Sequence, residues 1–238
     1  MSAKKDQIED LSREKLVALH HQKSPATEAF RSIRTNLQYM SPDKDLKVIM
    51  ITGAEKGVGK STIAANLALT FAMTDQICYL LDTDLRRPMQ HKLFELPNFQ
   101  GLSSYLSGKE SDLNELIIGA EHENLYIMPA GPIPPNPAEM LGSKRMEKLL
   151  NIFRDKADVV IIDAPPILPV TDAVILSQKV DGVIMMASCN ETRKDVFEKG
   201  KQRLEQVGAN ILGSILNKYP VNKSSYYTYQ NYYYYGEK

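Results

Sequence analysis

Residues 47–73 read KVIMITGAEKGVGKSTIAANLALTFAM. An apolar, β-rich run (47–53) meets a glycine-bearing turn, and the turn opens into a helical segment (60–73). From Ala54 the turn spells A-x-x-x-x-G-K-S, a phosphate-binding pattern with Ala in place of the usual first Gly. Gly57 and Gly59 let the backbone turn its N–H groups inward with no Cβ in the way. Lys60 can reach the β- and γ-phosphates, and the Ser61 hydroxyl can take a place on Mg²⁺. The helix that follows points its positive end at the phosphates. Strand before and helix after are the context such a loop requires. Gly57, Val58, Gly59, Lys60, Ser61 and Thr62 are therefore the first candidate nucleotide-binding residues.

The surrounding sequence repeats the same alternation. Further strand-like runs are ICYLLDT (77–83), LYIMPA (125–130), DVVIIDA (158–164), GVIMMAS (182–188) and ILGSILN (211–217). Several are almost continuously apolar, as expected of strands covered on both faces. Helical patterns fall between them at 60–73, 139–153, 171–178 and 192–207. This order predicts an α/β fold: a doubly wound, mostly parallel sheet of the P-loop NTPase type with helices on both faces. Ligands of such sheets sit at the carboxyl ends of the strands. A further helix is predicted over 25–40, with Ala26, Ala29, Phe30, Ile33 and Leu37 on one arc of about 100°. The expected division is a polar arm (1–24), a P-loop domain (25–217) and a flexible tyrosine-rich tail (218–238).

Two acidic sites fall at predicted strand ends. VVIIDAPP places Asp163 at the end of a buried strand, where a carboxylate needs a strong partner and a metal-bound water would serve. YLLDTDLRRP places Asp82 and Asp84 on one face of extended chain. Two such charges repel unless a cation lies between them. A solvated turn would explain the pair alone, but beside a phosphate loop and Asp163 a metal explains all three.

Composition narrows the class. The 238 residues carry 29 basic and 29 acidic side chains, giving no overall field to attract DNA or an anionic membrane. No basic stripe with interleaved aromatics appears, so no nucleic-acid partner is expected. No run is long enough to span a bilayer, and the N-terminus does not resemble a secretory signal. Cys78 and Cys189 have no metal spacing. A cytoplasmic protein is expected. Its C-terminus, SSYYTYQNYYYYGEK, holds seven of the twelve tyrosines: Tyr226, Tyr227, Tyr229, Tyr232, Tyr233, Tyr234 and Tyr235. Composition alone describes a sticky, disordered tail.

Taken together, GAEKGVGKST, LLDTDLRRP, IIDAPP, GPIPPNPAE and the tyrosine tail resemble the bacterial tyrosine kinases of capsule and exopolysaccharide synthesis. The form resembled is the Gram-positive one, a separate cytoplasmic catalytic chain. The resemblance implies ATP and Mg²⁺ as cofactors, with Lys60 and Ser61 on phosphate and metal and Asp84 and Asp163 holding the metal and its waters. It implies that Asp82 orients or deprotonates a tyrosine hydroxyl, so Lys60, Asp82 and Asp84 form the expected catalytic set. Asn217 matches an adenine-recognising Asn of related ATPases, with a turn cap as its competing role. The tail tyrosines become the enzyme's own phosphorylation sites. Glu28, Arg31 and Arg34 match an E-x-x-R-x-x-R element that closes a ring-like homo-oligomer; spacing alone would give only a solvated intrahelical pair.

The implied partners are other copies of the chain, the cytoplasmic segment of a transmembrane adaptor that recruits it to the inner face of the membrane, and a tyrosine phosphatase. The loop departs from the family's common Pro-Gly-Glu-Gly, and Lys56-Gly57-Val58-Gly59 looks closer to the positioning ATPases. Those carry a signature lysine where this chain has Glu55, and Lys56 is one residue displaced. Arg86 and Arg87 could neutralise phosphate or screen Asp84. The alternative function is a positioning or regulatory ATPase of the same P-loop branch that phosphorylates nothing.

Overall fold

The computed structural model describes residues 14–40 and 46–220. Seven strands form one sheet in the order β3-β4-β2-β5-β1-β6-β7. Their ranges are β1 Val48–Gly53, β2 Cys78–Asp82, β3 Ile118–Gly119, β4 Leu125–Met128, β5 Val159–Asp163, β6 Gly182–Ser188 and β7 Ile211–Asn217. All pairings are parallel except β3 with β4. The helices are α1 Val17–His20, α2 Pro25–Tyr39, α3 Lys60–Ala72, α4 Gln90–Leu93, α5 Leu102–Leu106, α6 Pro137–Gly142, α7 Lys144–Lys156, α8 Asp172–Ser177 and α9 Lys194–Gln206.

The continuous apolar runs serve two cores at once. Along β1, Val48 and Met50 enter one cluster, whereas Ile49 and Ile51 enter the other. On β5, Val160 and Ile162 face the first, and Val159 and Ile161 the second. Period-two alternation thus turns an unbroken hydrophobic sequence into two buried faces. One core is closed by α7, with Met146, Leu149, Leu150 and Phe153 turned inward. The other is filled by α3, whose alanines at 64, 65, 68 and 72 let it lie close under the sheet.

Several boundaries differ from expectation for definable reasons. The single helix expected over 139–153 is two helices. Ser143 adopts extended geometry (φ −67°, ψ 159°) and its Oγ accepts from Met146 N at 3.3 Å, so it ends α6 and caps α7. Within the stretch predicted as an arm, α1 packs on the domain, burying Leu16 and Ala18. Buried Asn66 on α3 draws it in, accepting from Ala18 N and donating to Lys15 O and Thr62 O. A polar residue at a helical core position carried that information. Short α4, α5 and β3 were not anticipated from the sequence.

Candidate active site

The strand register assembles the site. Asp163 ends β5, which lies between β1, leading into the phosphate loop, and β2, ending in Asp82. Asp82 and Asp163 are direct partners across the parallel pair. The three motifs, scattered over about a hundred residues of sequence, therefore open at one rim.

In the loop, Gly57 and Gly59 have φ of +83° and +93°, a left-handed region that L side chains rarely adopt. A Cβ on Gly59 would also overlap the Asn217 amide. Lys60 begins α3 and is only 8% exposed. Burial pushes its ammonium pKa down, and Asp163 and Asp84 push it back up.

Asp163 is buried, and its Oδ2 accepts from Gln90 Nε2 at 2.8 Å. Burial pushes its carboxyl up to about 6, against the nearby Ser61 hydroxyl, the hydrogen bond from Gln90 and the Lys60 charge. Its Oδ1 is buried and makes no hydrogen bond. An orphaned carboxylate oxygen beside the Ser61 hydroxyl and the phosphate-loop lysine fits a hydrated Mg²⁺, which takes few carboxylates and keeps its waters. Among the described residues no cluster of three or more His, Cys, Asp or Glu could hold a metal alone. Phosphate oxygens must complete such a site.

Asp82 is completely buried. Its Oδ2 accepts from Met89 N and Gln90 N, both at 2.8 Å, and Oδ1 accepts from Asp84 N at 3.3 Å. Burial, and next the Asp163 charge, raise its pKa well above the usual carboxylate range. Asp84 is partly exposed, with Oδ1 accepting from Arg86 N and Arg87 N. Arg86 grips buried Asp172 at the start of α8 with two bonds, of 2.9 and 3.0 Å. It ties the loop after β2 to α8, while Arg87 stays exposed.

Asn217 donates to Val58 O at 2.9 Å and accepts from Lys218 N at 2.8 Å. It props the phosphate loop and closes its own turn. On α2, Glu28 pairs with Arg31, both accessible to solvent. Arg34 instead donates to Thr70 O at 2.7 Å, tying α2 to α3. Arg34 is thus partly committed within the chain. The tail tyrosines, Tyr226 to Tyr235, lie outside the described residues.

Sequence reasoning missed Gln90 and Asp172. Gln90 bonds Asp163, Ser61 O and Asp82, yet nothing in MQHKL marks it. Asp172 sits in the first turn of α8, where an acidic residue is ordinary and nothing local marks it.

A phosphate loop on β1 with carboxylates ending β2 and β5 defines a P-loop NTPase, a nucleotide-binding class. The family described as "ParA: NUBPL iron-transfer P-loop NTPase" matches residues 45–234. Within that class the chain belongs to the bacterial tyrosine kinase family. It is 41% identical to tyrosine-protein kinase YwqD of Bacillus subtilis, over 90% of each chain. It is 35% identical to tyrosine-protein kinase CpsD of Streptococcus agalactiae, over 86% of this chain and 89% of the relative. The crystal structure of the chimerical protein CapA2B2 superposes with a TM-score of 0.84 at 39% identity, covering 87% of this chain and 91% of that one. Among the described residues, no helix is long and apolar enough to cross a membrane.

Proposed function

We propose that the protein is an ATP-dependent protein-tyrosine kinase that phosphorylates its own C-terminal tyrosines, in trans, within a ring-like homo-oligomer. The observation that carries this reading is the buried Asp163 with one unpartnered oxygen, facing Lys60 and Ser61 at the rim shared with Asp84. The γ-phosphoryl leaves the bridging oxygen of ATP for the phenolic oxygen of tyrosine, and ADP departs. Mg²⁺ neutralises phosphate charge when bound. The chain supplies the rest: loop N–H groups and Lys60 orient the phosphates, and Ser61, Asp84 and Asp163 fix the geometry around them. Such a loose transition state needs positioning and charge more than covalent help. Asp82 is the proposed proton acceptor; with three N–H groups on its oxygens, it serves the phenol only after the 83–89 loop releases it.

Twenty-one residues run from Lys218 to Lys238; any flexible chain of that length would span on the order of 25 Å, and at most about 70 Å if extended, which would suffice to reach a neighbouring subunit. Each phosphate adds about −1.5 to −2 charges, so a phosphorylated tail is repelled by the acidic rim and the ring loosens. An adaptor's cytoplasmic segment recruits the chain to the membrane, a tyrosine phosphatase resets it, and the cycle regulates capsular or exopolysaccharide synthesis and export.

The trans step is tested by co-expressing two chains in the native host. One is Lys60→Met with its tail; the other keeps Lys60 but ends after Pro220. Mass spectrometry is expected to find phosphate on the Lys60→Met tail. A bare tail there, with phosphate on the wild-type tail, would establish transfer in cis. No phosphate on the wild type while polysaccharide is being made would leave a regulatory ATPase.

For the ring, Arg31→Ala is the cleaner probe, because Arg34→Ala also frees Thr70 O. Sedimentation is expected to show smaller species for Arg31→Ala. An unchanged assembly would remove Arg31 from the interface.

A further inference from the structure

We propose that Gln90 is a positioning residue of the metal–nucleotide site: it turns Asp163 so that one carboxylate oxygen stays open, and it couples that orientation to the loop bearing Asp84. This rests on the reading of Asp163 as a holder of hydrated Mg²⁺.

Gln90 is completely buried at the start of α4. Its Nε2 donates to Asp163 Oδ2 at 2.8 Å and to Ser61 O at 3.0 Å, using both of its hydrogens. Its backbone N–H binds Asp82 Oδ2. One residue therefore touches the phosphate-loop helix, the strand-end carboxylate and the acidic pair. The amide orientation follows from chemistry, since the flipped form would set Oε1 against two acceptors.

Oδ2 of Asp163 accepts from Gln90 whereas Oδ1 accepts from no neighbour, so Gln90 favours Oδ1 as the oxygen presented. Gln90 Oε1 is also buried without a partner. Two touching side chains thus each keep an acceptor in need of a donor. Native interiors rarely tolerate this without a further group, and water on a cation is a donor. Outer-shell partners that orient ligands in this way commonly set metal affinity.

The experiment uses the full chain and a fluorescent ADP analogue, measured first in EDTA and then with increasing MgCl₂. Gln90→Met keeps length and removes every side-chain hydrogen bond. Its metal-free affinity is expected to stay within about 2-fold of wild type, while the Mg²⁺ midpoint rises about 10-fold. Gln90→Asn keeps the amide, shortens its reach, and is expected to lie between; it decides the matter if Gln90→Met fails to fold in a thermal melt. Equal weakening with and without Mg²⁺ would make Gln90 merely structural and overturn the proposal. So would an unchanged midpoint in variants that fold. If the wild type itself binds independently of Mg²⁺, the metal reading of Asp163 falls and this proposal falls with it.

Discussion

Lys60→Met is expected to lower phosphate incorporation into the tail by about 10³-fold, measured with labelled ATP on protein that melts near the wild-type temperature. The ammonium lies at the start of α3, 8% exposed, with the charges of Asp163 and Asp84 acting on it. Burial alone would favour its neutral form, and the two carboxylates hold it toward the charged one. Once phosphates enter, the same cation meets the charge that spreads over the transferring group. Removing one such preorganised donor typically costs about 10²–10³ in rate. Losing a full charge in a dry site belongs at the upper end. Methionine nearly matches the length of the stem, so the fold should tolerate it. It cannot hold phosphate. Incorporation close to wild type would show that Lys60 does not touch the reacting phosphates, and the loop would lose its assigned chemistry.

The motifs were legible because each is local. A-x-x-x-x-G-K-S depends on glycines a few residues apart, and the structure gives Gly57 and Gly59 the positive φ that the reading requires. The six main parallel strands were legible for a similar reason, since residues such as Ile49 and Met50 must both be buried on opposite faces. What could not be read depends on register and approach. Asp82 is an anchor for Met89 and Gln90 only because the chain doubles back through the turn at 84–87. Arg86 finds Asp172 only when β2 and the loop before α8 come together. Asn217 could be given two local roles, but its bond to Val58 O needs β7 to end beside the phosphate loop. Arg34 shared a polar arc with Glu28 and Arg31, and periodicity could not show that Thr70 O lay within its reach.

Asp163→Asn should raise the stability of the metal-free protein at neutral pH while abolishing the Mg²⁺ dependence of nucleotide binding. In the fold, burial moves this carboxyl from 3.8 to about 6. A raised carboxyl favours the folded state only when protonated. Its contribution is full below the unfolded value of about 4, and is lost as pH rises through about 6. The total is about 3 kcal/mol, roughly half of it already gone by pH 5. Denaturant unfolding across pH 5–7 should therefore show wild type losing ground to Asp163→Asn by about 1 kcal/mol or more. Asp82, facing Asp163 across the strand pair and raised partly by its charge, should ionise more readily in the variant and reinforce the trend. MgADP should stabilise wild type more than ADP in EDTA does, because a cation favours the ionised form, whereas the variant should gain equally from ADP with and without Mg²⁺. Parallel stability curves for the two proteins would mean that Asp163 is already compensated within the chain. A carboxylate so satisfied would have no need of a metal, so the same curves test the stored cost and the site it serves.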